Sequence, residues 1–290
     1  MSRAAATASW TGTRNVASNS AATGPAFQAR LVADEFEALC ENVRTLCGVD
    51  LGQYKRNQME RRVRTWTERR GTPDLAAYGR RLRRDPEELD AFLDRVTINV
   101  SHLWRHEDQW TALGTTILPE LAERRRVRCW SAGCSYGAEA FTLAAVAQDS
   151  IPSARVEIHG TDLDRRMVEK ARAGRFSAED ARTAPKSLLQ RWFVPADEGG
   201  GWQARPELMR MTRFEVGDLL RMPVQRARYD LIMCRNTVIY FTEEVRDALH
   251  ARLADALAPG GYLVVGTSER VAAPAALGLE SPFHFIYRKT

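Results

Sequence analysis

Lysine is scarce in this 290-residue chain: only Lys55, Lys170, Lys186 and Lys289 stand among 42 basic residues, and the rest are Arg. Other shortages exclude whole classes of protein. No apolar run nears the roughly 20 residues that span a bilayer; the longest, 140–146 and 262–265, have the length of core segments. The five cysteines (Cys40, Cys47, Cys129, Cys134, Cys234) are odd in number and lack metal-ligand spacing. Neither a disulfide framework nor a metal site is therefore expected, and a reducing cytoplasm is. Residues 1–26 contain no acidic residue and no apolar core, and read as a disordered tail without the apolar stretch of a secretion signal.

The remaining composition, 44% hydrophobic and 27% charged, is that of a globular protein long enough to bury one large core or two. The net charge of +5 favours acidic partners, whether nucleic acid, anionic lipid or carboxylate-rich protein.

Organisation centres on the stretch VRCWSAGCSYGAEAFTLAA, residues 127–145. A short β-branched and aromatic run is followed by small residues, and then by Phe141, Leu143, Ala144 and Val146 at helical spacing. Gly133 and Gly137 permit a tight turn with close approach of a ligand to the main chain. Such a loop at the carboxyl end of a strand is where open α/β sheets bind ligands.

Before it, residues 27–95 are helical in pattern. Phe36, Leu39, Cys40, Val43, Leu46 and Cys47 recur at three and four, ended by Gly48. Residues 54–70 form a second helix with Met59, Val63 and Trp66 as its apolar stripe. Lys55, Arg62 and Arg69 make a row beside that stripe, with Arg61 and Arg64 pointing away. This basic helix is either a solvated face or a docking surface for an acidic partner, remote from the ligand loop. Two shorter helices follow, 75–83 and 87–96, the second opened by Asp85 and Pro86.

After it, VEIHGTD (156–162) is a strand ending in an acidic residue, Asp162, placed to accept hydrogen bonds from ribose hydroxyls. Residues 188–194 and 202–214 alternate apolar with polar and suggest a small antiparallel insertion. VGDLL, a strand at 229–234, a loop at 235–241, a helix at 242–257 and a strand at 262–267 then complete the alternation, with an edge hairpin at 282–289. This implies a mostly parallel, doubly wound sheet.

The segments TINVSHLWR, WSAGCSYGAEAFT, HGTDLD, GDLL, CRNTVIYF and LAPGGYLVVGTSE resemble, in order and spacing, those of the CheR chemotaxis receptor methyltransferases. The resemblance covers about residues 36–288. It implies an α/β fold of the class I S-adenosylmethionine-dependent methyltransferase kind, Rossmann-like, with a helical N-terminal domain (27–96), a methyltransferase domain (97–290) and a β insertion (about 188–214). It also implies transfer of a methyl group from S-adenosylmethionine to glutamate side chains of chemoreceptors, by a cytoplasmic monomer acting in signal transduction. By position it makes Asn99, Ser101 and Arg105 contacts to the methionine end of the cofactor, and Asp162 the ribose acceptor. Asp218 and Leu219 fall at the adenine, Arg235 and Asn236 complete the cofactor wall, and Tyr240 faces the reacting methyl, so that Arg105 and Tyr240 are the catalytic candidates. The loop departs from the family's TGEEPYS at Tyr136 and at Ala138, the latter standing where the family has a cofactor-contacting Glu.

The chemistry needs no metal. A glutamate carboxylate, with an ordinary pKa near 4.3, is already ionised at neutral pH, so the site must place it rather than deprotonate it. Two alternatives remain: a degenerate cofactor- or partner-binding protein without turnover, and a methyltransferase acting on another substrate. An NPPY-type motif is missing, which argues against base methylation, and no nucleic-acid partner is expected.

Overall fold

The computed structural model describes residues 25–96, 101–196 and 200–290, with side chains from residue 35 onward. Most of the expected tail and Asn99 lie outside the described residues. The N-terminal region is all-helical: α1 (Pro25–Cys47), a 3-10 turn (Leu51–Gln53), α2 (Arg56–Arg69), α3 (Leu75–Arg84) and α4 (Pro86–Val96). Local chemistry sets these boundaries. Gly48, at φ +80°, ends α1 in a conformation that costs glycine little. Asp74 accepts from the amides of Ala76 and Ala77 at the start of α3. Asp85 accepts from the amide of Glu88 (3.0 Å), with Pro86 at the first helical position.

The four helices bury Phe36, Leu39, Val43, Met59, Val63, Tyr78 and Phe92 against one another. Each fully buried side chain of this size contributes about 1.5–3 kcal/mol relative to exposure. One carboxylate is buried with them. Glu88 is met by Arg70, by Arg81 (2.8 Å) and by the Tyr78 hydroxyl (2.7 Å), so its charge is compensated.

The second region opens with a continuous helical stretch: α5 (Glu107–Ala112), a π turn (Leu113–Ile117) and α6 (Leu118–Leu121). Then come β1 (Val127–Ala132), α7 (Ala138–Ser150), β2 (Val156–Asp162), α8 (Arg165–Ala173), β3 (Arg175–Phe176), α9 (Lys186–Trp192), β4 (Phe193–Pro195), β5 (Trp202–Ala204), α10 (Pro206–Met211), β6 (Thr212–Val216), β7 (Tyr229–Cys234), α11 (Glu243–Ala256), β8 (Leu257–Val265), β9 (Leu279–Phe283) and β10 (Ile286–Lys289). The main sheet has the order β6-β2-β1-β7-β8-β10-β9. Its first five strands are parallel and β10 runs antiparallel to both of its neighbours. Strand order reverses at β1, and the crevice beyond the carboxyl ends of β1 and β7 is the topological switch point. Among the described residues, no helix is long and apolar enough to cross a membrane.

The expected antiparallel insertion needs correction. A three-stranded antiparallel sheet exists, in the order β3-β5-β4, but its first strand lies at Arg175–Phe176, before residue 188. Residues 188–192 belong to α9 and 206–211 to α10, while β6 leaves the insertion and pairs parallel to β2. The apolar residues here bury whether the segment is helix or strand: Leu189 and Leu208 do so from helices. The crossover from β6 to β7, residues 217–228, holds no helix.

Candidate active site

Four strand ends build one wall. After β1, Gly133 turns at φ +79°, and the amides of Gly133 and Cys134 both donate to the Thr161 carbonyl (2.9 Å). A Cβ on Gly133 would lie 2.6 Å from Thr237 Oγ1, so only glycine lets this loop meet the loop after β7. Asp162, at the end of β2, accepts from the amides of Ser135 (2.8 Å) and Asp164 (2.9 Å), which fixes its carboxylate against the β1 loop. Burial pushes that carboxyl above the usual range, opposed by those amides. After β6, Asp218 accepts from the Leu220 amide (2.9 Å).

The loop after β7 is held from beneath. Glu269, 3% exposed, accepts from the amides of Gly266 (2.7 Å), Asn236 (2.8 Å), Val238 (2.9 Å) and Ile239 (3.3 Å). Asn236 is thereby held at φ +59°, a conformation Asn tolerates better than most residues. Arg235 is buried, donates to the Arg105 carbonyl (2.6 Å), lies over the Trp110 ring (5.2 Å) and pairs with Glu139 (3.5 Å). Glu139 in turn accepts from the Ser131 hydroxyl (2.7 Å). Burial raises the Glu139 carboxyl, with Arg235 opposing the shift. Arg105 itself sits between two left-handed residues, Trp104 (φ 53°) and His106 (φ 62°). Each such backbone state costs about 1–3 kcal/mol and persists only where packing enforces it, here the full burial of Trp104 and the hydrogen bond from Trp110 Nε1 to the Arg105 carbonyl (2.9 Å).

The helical region supplies the opposite wall. Tyr54 pairs with Phe241 across an isolated antiparallel bridge, Lys55 N donates to the Tyr240 carbonyl (2.8 Å), and Thr242 N to that of Gln53 (3.1 Å). Two bridging arginines flank the junction: Arg221 joins Asp50 (3.2 Å) to Asp218 (3.6 Å), and Arg166 joins Asp94 (3.1 Å) to Asp164 (3.2 Å). Between the walls lies a cavity of about 460 Å³. Tyr54 lines it, its phenol raised to about 12 by burial and by the nearby Asp162 and Asp218.

Ser101, Arg105, Asp162, Asp218, Leu219, Arg235, Asn236 and Tyr240 all line this one cavity. Tyr136 and Ala138 do not. The Tyr136 hydroxyl turns away to bond the Ser101 carbonyl and the Asp180 carboxylate (2.8 Å), and Ala138 is buried in the first turn of α7. The acidic residue of that loop on the cavity wall is Glu139. Sequence reasoning gives no role to Glu139, Glu269 or Tyr54. Glu139 carries a signal in its position beside the glycine loop; Glu269 and Tyr54 act through residues far away in the chain.

The basic helix is also corrected. It begins at Arg56, and its row is not remote from the cavity: Lys55 Nζ donates to the Ile239 carbonyl (3.1 Å), and the Arg62 guanidinium lies over the Tyr240 ring (5.4 Å) while donating to the Val96 carbonyl (2.9 Å). Arg61 and Arg69 remain exposed, and Arg64 pairs with Glu60 (2.8 Å).

The cavity has the composition that S-adenosylmethionine requires: carboxylates at two strand ends for hydroxyl and amine donors, guanidinium groups for a carboxylate, and an apolar Leu219 side for a base. Residues 99–279 match the family model described as "CheR methyltransferase, SAM binding domain", and residues 34–97 match "CheR methyltransferase, all-alpha domain". A chemotaxis protein methyltransferase of Listeria monocytogenes is 34% identical over 84% of this chain and 92% of its own length. Chemotaxis protein methyltransferase 1 of Pseudomonas aeruginosa is 30% identical over 81% of this chain and 89% of its own. The chemotaxis protein methyltransferase of Salmonella typhimurium is 28% identical over 81% and 83%. The chain therefore belongs to the CheR methyltransferase family, and S-adenosylmethionine is its cofactor.

Proposed function

We propose that this chain methylates glutamate side chains on the cytoplasmic helices of chemoreceptors, giving glutamate methyl esters and S-adenosylhomocysteine. S-adenosylmethionine, when bound, supplies an electrophilic methyl group on a sulfonium sulfur. Ser101, Arg105 and Asn99 bind its amino-acid end, Asp162 its ribose, Asp218 and Leu219 its adenine, and Arg235 with Asn236 complete the wall. The observation that carries this reading is the convergence of Ser101, Arg105, Asp162, Asp218, Leu219, Arg235 and Asn236 on one cavity beside Tyr240.

The substrate carboxylate arrives ionised, so the site's task is orientation and exclusion of water. Tyr240 Oη has no hydrogen-bond partner among the described residues and is available to a substrate carboxylate, while Arg62 over its ring fixes the ring's attitude. Arg105 can hold a carboxylate through two parallel hydrogen bonds. Arg61 and Arg69, exposed on α2, provide a positive field for an acidic receptor helix. The protein acts as a soluble cytoplasmic monomer in this reading. Incubation with methyl-labelled cofactor and chemoreceptor membranes, followed by mild base, tests it. Release of volatile label as methanol supports ester formation, and base-stable label or none refutes it.

A further inference from the structure

A second cavity, about 830 Å³, lies on the sheet face that the helix-free crossover leaves open. Parallel strands are ordinarily covered on both faces and read as continuous apolar runs. Here the register sets Arg128 beside Glu157, and His159 beside Arg213, so β1, β2 and β6 present charged residues on that face. Its floor is aromatic: Trp130 stacks on Tyr229 (5.1 Å), and His159 also stacks on Tyr229 (6.5 Å). It sits toward the amino ends of the strands, opposite the cofactor cavity.

Six arginines line this groove: Arg126, Arg128, Arg155, Arg210, Arg213 and Arg228. Against them stand two carboxylates. Glu157 is occupied by Arg126 and Arg155 (3.2 Å), and Glu215 by His159 (3.1 Å). Arg128, Arg210 and Arg213 are exposed and have no side-chain partner among the described residues. Arg210 and Arg213 come from α10 and β6, Arg126, Arg128 and Arg155 from the amino ends of β1 and β2, and Arg228 from just before β7, and Met222, Pro223, Val224 and Gln225 of the crossover line the groove with them. From β6 to β7 is three strand spacings, about 14 Å. Like charges gathered around a bounded groove, rather than spread along a stripe, suit a compact polyanion better than an extended acidic chain. Guanidinium forks match phosphate oxygens in pairs.

We propose that this groove binds a polyphosphate anion, either free or as the phosphate chain of a nucleotide, independently of the cofactor cavity. The test is calorimetric titration of the full chain with sodium tripolyphosphate and with ATP, at fixed ionic strength. Saturable one-to-one binding is expected, weakened about 100-fold by R128E/R213E, at about tenfold for each charge-assisted hydrogen bond removed. S-adenosylhomocysteine binding should be unchanged in that variant, which also reports that it folds. Should the double variant not fold, R210E, on an exposed side chain, is expected to lower affinity about tenfold. Tighter binding of ATP identifies a nucleotide and equal binding a bare phosphate chain; both support the site. Heats no greater than those of sulfate overturn it, as does binding of polyglutamate without binding of tripolyphosphate, which would make the groove an acidic-protein surface.

Discussion

Replacing Glu269 by Gln is the sharpest perturbation of the site that leaves its shape nearly unchanged. One carboxylate oxygen accepts from Gly266 and Asn236, the other from Val238 and Ile239. A carboxamide can serve only one of these pairs, because its nitrogen donates and would face two amides. Two buried N–H groups are then unsatisfied, at about 1–3 kcal/mol each. Part of this is offset, because burial raises the Glu269 carboxyl above its ordinary range and a neutral amide escapes that penalty. A net loss of about 2–3 kcal/mol remains, roughly 3–5 °C in Tm for a chain of this size. The same loop carries Asn236 and Tyr240, so S-adenosylhomocysteine affinity should fall with Tm. Differential scanning calorimetry and titration with S-adenosylhomocysteine measure the two effects. If the variant melts and binds like wild type, the carboxylate does not hold this loop and the cavity's floor is fixed by something else.

Asp162→Ala should weaken S-adenosylhomocysteine binding by about 10- to 150-fold, the loss of a charged acceptor contributing about 1.5–3 kcal/mol; titration calorimetry measures it. Arg61→Glu with Arg69→Glu should raise KM for receptor at low salt, with the effect fading as salt shortens the screening length to about 8 Å at 0.15 M, and should leave S-adenosylhomocysteine affinity intact. Arg62→Glu, beside Tyr240, should in contrast lower kcat. Hydrogen bonds from Arg70, then from Tyr78, and the charge of Arg81 hold the Glu88 carboxyl below its ordinary 4.5. The stability it contributes is therefore fully present above pH 4.5 and lost as pH falls through the depressed value. Urea titrations of Glu88→Gln between pH 3 and 6 should show a shallower acid dependence than wild type.

The parts of the site legible in the sequence are those whose signal is local. Strand, turn and acidic tip sit within a few residues of one another at Gly133 and at Asp162, and their spacing survives in the fold. The insertion reads as strands because short segments such as 188–192 and 206–211 place apolar residues at intervals compatible with either period. β6 reads as part of it because pairing with β2, across some fifty residues, leaves no local mark. Arg62 reads as part of a solvated row, since nothing near it in sequence announces the Tyr240 ring. Glu269 is the extreme case, for its partners are mainly backbone amides some thirty residues earlier, and any residue type supplies an amide. The resemblance to the family points to Asp162, Arg235 and Tyr240 without these contacts, but it also directs attention to Ala138, whereas Glu139 is the residue on the cavity wall.

The proposed methyl transfer to a receptor glutamate beside Tyr240 is open to a decisive measurement: mass spectrometry of a purified chemoreceptor cytoplasmic fragment after incubation with S-adenosylmethionine and either wild-type enzyme or Tyr240→Phe. The expected product is a one-methyl mass gain localised to glutamate and reversed by mild base, formed more slowly by the variant although its S-adenosylhomocysteine affinity is unchanged. Methylation on any other side chain, or a receptor left unmodified by an enzyme that binds the cofactor, would contradict it.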